Sequence, residues 1–410
     1  MATVVQKFGG TSVADAAKIS RAAGRVKKAK DEGYDVVTVV SAMGKSTDTL
    51  VDLAHQLSDN PDKREMDMLM STGEQVTISL MVMALKEQGI DAVSLTGWQA
   101  GIRTEPVHQN ARITDIETDV IESHLKEGKV VIVAGFQGMT PDGEITTLGR
   151  GGSDTTAVAL AAALKAESCS IFTDVTGVYT SDPRVVKEAR QLQSISYDEM
   201  LELANLGAGV LHPRAVEFAK NYQIPLIVKS SMVEKEGTLV EEEASMEQNL
   251  VVRGLAFESA VTKVMVEGMP NEVDTLSNLF SSLAESGINV DIIIQQVTEN
   301  GRINVAFSIH TQALNDTLDV VKRNQEKLQY TNVHHFDRLA KVSIVGSGMI
   351  SNPGVAADMF RVLSEQGVRV QMVSTSEIKV SAVVEEEKMV GAVEALHTFF
   401  ELDERVEVNV

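Results

Sequence analysis

The sequence predicts an α/β fold: an open, mostly parallel sheet with helices on both faces, forming three layers, followed by two small ferredoxin-like modules of β-α-β-β-α-β order. Three observations carry this. From Val4 to about Val228, continuously apolar, β-branched runs alternate with helical patterns. At Glu234–Asn249 the acidic stretch "EKEGTLVEEEASMEQN" interrupts them with no evident hydrophobic period, and it reads as a linker. Beyond it the chain repeats itself. "KVMVEG" from Lys263 matches "KVSIVG" from Lys341 at an offset of 78, and "LFSSLAESGINV" from Leu279 matches "MFRVLSEQGVRV" from Met359 at an offset of 80. The two-residue difference falls in a strand-to-helix loop, where insertions are tolerated.

In order along the first part, "YDVVTVVSAM", "DAVSLTG", "KVVIVAGFQG", "SCSIFTDV" and "IPLIVKSS" read as buried strands, since parallel sheets are apolar on both faces. Val13–Glu32, Glu65–Gln88 and Asp154–Lys165 carry apolar residues at helical spacing. Ligands of such a sheet are expected at the carboxyl ends of its strands. A chain of 410 residues divides into two or three domains, expected here at 1–245, 250–338 and 339–410, with the strand near 248–256 free to pack on the last.

Composition narrows the function. Acidic residues outnumber basic ones by 58 to 37, for a net charge of −21, which argues against nucleic acid or an anionic membrane as partner. "MATVVQKFGG" enters a strand pattern without a signal segment, so a cytoplasmic protein is expected. Cys169 is the single cysteine; it excludes an intrachain disulfide, and its apolar setting reads as a buried thiol. His212, His334 and His335 lack metal-ligand spacing, and no direct protein ligation of a metal is expected.

The chemistry concentrates in loops. "QKFGGTS" sets Lys7, Gly9 and Gly10 at a strand end before a helix, where glycines let backbone approach a phosphate and lysine supplies a point charge. In "TTLGRGGSDTTAVALAAAL", Ser153 and Asp154 stand where a helix N-cap belongs, while Arg150 among three glycines suits a bidentate contact to a carboxylate or phosphate. "SAMGKSTD", "MSTGEQVT" and "FTDVTGVYTSDPR" add Ser41, Thr47, Glu74, Asp174, Tyr179 and Arg184. "KVSIVGSGMISNPG" looks like a dinucleotide turn, but the third glycine of Gly-x-Gly-x-x-Gly would fall on Ser351, and the first repeat has no Gly-x-Gly at all.

The motifs "KFGGTSV", "VVSAMGKSTD", "STGEQ", "TLGRGGSDTTA" and "TDVTGVYTSDPR", in that order along the chain, closely resemble the aspartate kinase branch of the amino acid kinase family, and the repeat resembles the paired ACT regulatory modules of those enzymes. The subtype resembled is the lysine-sensitive bacterial one. The resemblance implies transfer of the γ-phosphoryl group of ATP, with Mg²⁺, to the β-carboxylate of L-aspartate, the first step of lysine, threonine, methionine and diaminopimelate biosynthesis. It implies that Lys7 and Asp154 are catalytic and that Ser41, Thr47, Glu74, Arg150, Gly152 and Ser153 hold aspartate. ATP would meet Lys7, Phe8, Gly9, Gly10, Thr173, Asp174, Tyr179 and Arg184. Lysine, with threonine as an open second effector, would bind at Asn271, Asp274, Leu276, Asn289, Asp291 and Gln295 in the first repeat and at Met349, Ile350, Ser351, Asn352 and Val355 in the second. A homo-oligomer through the ACT modules, or a hetero-oligomer with a short chain begun at Met246, is implied as well. One departure stands out: many relatives have a lysine where this chain has Gly209 in "LGAGVLHPRA". A glutamate-type kinase of the same fold and a non-catalytic amino-acid sensor remain the alternatives.

Overall fold

The computed structural model describes residues 1–207, 209–242 and 250–403, which form two compact units; the start expected at Met246 lies outside the described residues. Of the described residues, the first unit comprises 1–178, 191–205 and 209–242, and the second 179–190, 206–207 and 250–403.

The first unit is built on an eight-stranded sheet, in the order Ser194–Ser196, Thr238–Glu241, Leu226–Ser230, Ser168–Thr173, Thr3–Phe8, Asp35–Val40, Val130–Ala134 and Ala92–Leu95. Thr3–Phe8 lies at its centre, parallel to Asp35–Val40 on one side and Ser168–Thr173 on the other, so the loops after Phe8, Val40 and Thr173 leave from one end. Side chains alternate between faces along a strand. Phe8 is accordingly buried among Ile19, Ala23, Val26, Ile78 and Met81 of the helices Ala16–Asp31 and Thr72–Glu87. Its neighbour Lys7 faces the opposite helix, Gly152–Ala163. A smaller four-stranded sheet, Ile113–Ile116, Ile102–Thr104, Gln137–Met139 and Ile145–Thr147, completes the unit.

Two expectations are corrected here. The long helix over 65–88 is broken at Ser71 into Lys63–Met70 and Thr72–Glu87, with the Ser71 carbonyl accepting from Gln137 Nε2 at 2.9 Å. The linker over 234–249 is partly a strand: Thr238–Glu241 pairs antiparallel with Leu226–Val228, and Thr238 and Val240 are fully buried. A period of two was present in "TLVE", masked by the glutamates around it.

The second unit is organised by two long antiparallel strands, Gly254–Met269 and Asn332–Val345, at the middle of a six-stranded sheet. Each serves two modules. Val261–Glu267 pairs with 332–339 beside Ile303–His310 and Ile293–Val297, giving the first ferredoxin-like set. Gly254–Glu258 pairs with Lys341–Val345 beside Lys379–Glu385 and Met372–Thr375, giving the second. The fourth strand of the second set therefore precedes the whole first set in sequence. Register shifts occur in the long strand between Glu258 and Lys263, where Ala260 adopts φ 57°; Arg338 adopts φ 55° on the partner. Residues 179–190 are built into this unit. Val186 joins the core of the second set, Leu255 N donates to Thr180 O at 2.7 Å, and Thr180 Oγ1 lies 2.9 Å from Nε2 of His397, whose burial lowers its pKa.

The glycine turn that mimics a dinucleotide loop has a packing explanation. A Cβ at Gly346 would stand 2.4 Å from Val251 O, and one at Gly348 2.7 Å from Val251 Cα, so the turn is bare to let residues 251–253 lie across it. Gly346→Ala is expected to destabilise the protein by about 1–3 kcal/mol, as overpacking against backbone does. Thermal unfolding checks this, and an unchanged melting temperature would refute it.

Candidate active site

The strand Thr3–Phe8 delivers Lys7 to the end of the sheet. Lys7 is 9% exposed, and its Nζ stands 2.6 Å from Asp154 Oδ1, off the angles of a hydrogen bond, so this oxygen has no hydrogen-bonded donor. Gly9 lies alongside, since a Cβ there would come within 3.4 Å of Lys7 Nζ. At Gly10 a Cβ would meet Ala42 O at 2.9 Å and Gly44 O at 3.1 Å, and Gly44 N donates to Gly10 O. The first glycine turn and the 41–44 loop are thus packed backbone against backbone. Ser41 N donates to Phe8 O in the same place, and Thr47 is half-buried in the first turn of the helix Ser46–Leu57.

Glu74 enters from the first turn of Thr72–Glu87, brought close because Gly73 leaves room for Ala42 Cβ. It is 2% exposed; Oε1 accepts from Ala42 N at 3.1 Å, and Oε2 is buried with no well-formed hydrogen bond among the described residues, although the Gln137 side chain is near enough to lower the carboxyl's pKa. Burial pushes its carboxyl up to about 7, against the lowering effect of the Ala42 N–H. A buried carboxylate with one oxygen unmatched calls for a cation.

The third part is the start of helix Gly152–Ala163. Neither Ser153 nor Asp154 caps it, contrary to the cap expected from their position. Gly151 occupies the N-cap at φ 69°, and Asp154 is turned to Lys7 instead. Ser153 is buried against Gly135, where a Cβ would come within 2.8 Å of it, and Gly152 packs under Phe136. Arg150 is exposed between Gly149 and Gly151, both with positive φ, and makes no hydrogen bond or ion pair with a described residue. Because Asp154 of its first turn meets Lys7, the helix N-terminus, with its partial positive charge, lies at the Lys7 end.

Among the residues expected to meet a nucleotide, Phe8 is fully buried and stacked on Phe172 at 4.6 Å, so only its backbone can touch a ligand. Thr173 donates to Asp174 Oδ1 at the end of its strand. Tyr179 and Arg184 belong to the second unit, where Arg184 forms a forked pair with Asp182. Gly209 has φ 64°, a left-handed conformation that disfavours the lysine of many relatives. Cys169 is fully buried and its thiol pKa is pushed up, so it is not a nucleophile.

Sequence reasoning missed two supports. Arg214 braces the arginine loop, with Nη1 donating to Leu148 O at 2.8 Å and Nη2 to Ala111 O at 3.2 Å. His212 was read as unremarkable, yet its ring packs on Gly151 and feels the Asp154 charge. The only hint was its place before Pro213, which makes it the N-cap of helix Pro213–Tyr222.

Of the expected effector residues, Asn271, Asp274, Asn289 and Gln295 are exposed, and Leu276 packs on the first-module core. Asp291 has a partner of its own: its carboxylate lies 2.5 Å from the buried Lys341 Nζ, which also pairs with Glu258 at 2.8 Å. In the second module Ile350, Ser351 and Asn352 are exposed, whereas Met349 and Val355 contribute to the core.

Residues 2–230 match the amino acid kinase family and residues 342–400 the ACT domain. The chain is 65% identical to the aspartokinase of Bacillus sp. (strain MGA3) over 98% of both chains. Among solved structures it resembles E. coli aspartokinase III in complex with aspartate and ADP (R-state), with a TM-score of 0.80 at 28% identity over 97% of this chain and 99% of that one. It also resembles the same enzyme in complex with lysine and aspartate (T-state), with a TM-score of 0.78 at 29% identity over 97% and 99%.

Proposed function

The chain belongs to the amino acid kinase family, in its aspartokinase branch, and from that premise we propose how its residues phosphorylate aspartate. The reaction moves the γ-phosphoryl group of ATP to a β-carboxylate oxygen of L-aspartate; the bond to the β-phosphate breaks, leaving ADP and 4-phospho-L-aspartate. Two anions must be brought together, so the protein's task is charge neutralisation and alignment.

The observation that carries the assignment of roles is the Lys7–Asp154 pair beside Gly9. Lys7 counters charge on the transferring group, with Gly9 and Gly10 leaving the backbone bare for a phosphate and the N-terminus of Gly152–Ala163 at the same end; the Gly9 N–H itself donates to Phe172 O. Asp154 holds Lys7 in place. Glu74 takes the α-ammonium on its unmatched Oε2, and Arg150 takes the α-carboxylate, with Ser41, Thr47, Gly152 and Ser153 completing the aspartate pocket. Thr173 and Asp174, the part of the expected nucleotide set that lies in the first unit, serve the nucleotide.

Mg²⁺ fits these residues. The described residues contain no cluster of three side chains able to hold a metal, but Asp154 Oδ1 has a lone pair without a hydrogen-bonded donor, which suits an ion held mainly by phosphate oxygens. When bound it would neutralise phosphate charge. A cytoplasmic location fits the use of ATP.

Lysine is the feedback effector, as the likeness to a lysine-bound aspartokinase supports, with threonine acting jointly at the ACT residues named above. Assembly through these modules is favoured by the edge strand Ile293–Val297, which exposes Ile293, Ile294 and Val297 beside unpaired backbone. Pairing with a short chain begun at Met246 is the second form of assembly.

ADP release should be strong with aspartate, weak with glutamate and N-acetylglutamate, and reduced by millimolar lysine. Release with glutamate alone would favour the glutamate-type kinase, and no release with any acceptor the sensor. Arg150→Ala should raise the aspartate KM by about one to two decades, the range of a charge-assisted contact, while moving the ATP KM far less. The opposite split would reassign Arg150 to the nucleotide.

A further inference from the structure

The kinase unit has a cavity of about 620 Å³ on the sheet face opposite Lys7, between the helix Ala16–Asp31 and the loop 231–237. Gln6 and Lys229 line it from the sheet, Arg25 and Lys28 from the helix, and Glu234 from the loop. Four basic and three acidic side chains surround it.

Its polar groups are not matched by the protein. Gln6 is 7% exposed, and its Oε1 is buried without a partner. Lys229 is half-buried and makes no ion pair or hydrogen bond with a described residue; burial lowers its pKa, Arg25 and Lys28 lower it further, and Glu32 opposes them. At the mouth, Glu234 stands 3.0 Å from Arg25 and 3.7 Å from Lys28. A desolvated ammonium with no anion of its own costs stability unless an anion binds it, while Gln6 Oε1, an acceptor, calls for a donor instead.

We propose that this cavity is a second ligand site, which takes a small oxyanion, carboxylate or phosphate, on Lys229, and that Glu234 is the internal anion it displaces from Arg25 and Lys28. The loop that carries Glu234 begins at Ser231, which accepts from Ser12 Oγ at 2.8 Å and donates to Thr173 O at 3.1 Å. Displacing Glu234 therefore frees a loop anchored beside the nucleotide turn. None of this depends on the identity of the reaction.

The test is calorimetric titration of full-length Lys7→Met protein, which lacks the catalytic cation, with inorganic phosphate and separately with malonate. At least one of the two should bind saturably, and the pair tells a phosphate site from a carboxylate site. Adding Lys229→Met should weaken that binding about tenfold or more, as loss of a charge-assisted contact does. Adding Glu234→Gln should tighten it, a gain that a folding defect cannot mimic. Equal binding with and without Lys229→Met overturns the proposal, as does the absence of saturable binding in both the Lys7→Met protein and its Glu234→Gln derivative.

Discussion

Lys7→Met is expected to lower kcat by about 10²–10³-fold, the usual loss when one preorganised charge stabiliser is removed, with the aspartate KM changed by less than about threefold. The reason is local. Lys7 is buried at a strand end with Asp154 against it, so its removal takes away the positive charge and also leaves a carboxylate facing the incoming phosphate. Steady-state kinetics with both substrates varied checks this. An effect confined to the ATP KM would show that Lys7 binds the nucleotide without helping transfer.

Glu74→Gln is expected to separate stability from function. Burial pushes the Glu74 carboxyl up to about 7 from its ordinary 4.5. Folded protein then holds this proton between pH 4.5 and 7 while the unfolded chain has released it. The stability it contributes is full below the lower value and is lost as pH rises through the upper one. At pH 8 the native glutamate costs up to about 3 kcal/mol, and the glutamine variant should recover much of that in chemical denaturation. Its aspartate KM should nonetheless rise by about 10²-fold, because the ammonium loses its only buried counter-charge. The native enzyme carries a pH signature of the same group. Aspartate needs the ionised form, so its KM should rise about tenfold from pH 8 to pH 6. A flat KM profile, with a variant no more stable at pH 8, would remove Glu74 from the ammonium site.

Much of the site was legible because its chemistry is local. Glycines at 10, 151 and 152 each relieve a specific close approach or positive φ, and such requirements leave a mark in the sequence. Glu74 was legible as a loop residue, but its perturbed carboxyl was not, since burial comes from Ala42, Gly73 and the strands around them. Arg214 and His212 were missed because each acts on residues more than 60 positions away in the chain.

Six of the eight strands in the larger sheet of the first unit, the strand ends that carry Lys7 and Thr173, and the twofold repeat of the second unit follow from hydrophobic period and turn residues alone, whereas the four-stranded sheet does not. Those are properties of neighbours along the chain. Tertiary structure decided that residues 179–190 join the second unit, that Ser71 breaks a helix, that Thr238–Glu241 pairs as a strand inside the acidic stretch and that Arg214 reaches the arginine loop. Each depends on a long-range competition for burial or for a hydrogen-bond partner, and a period read along one segment has no information about what the other segments offer it.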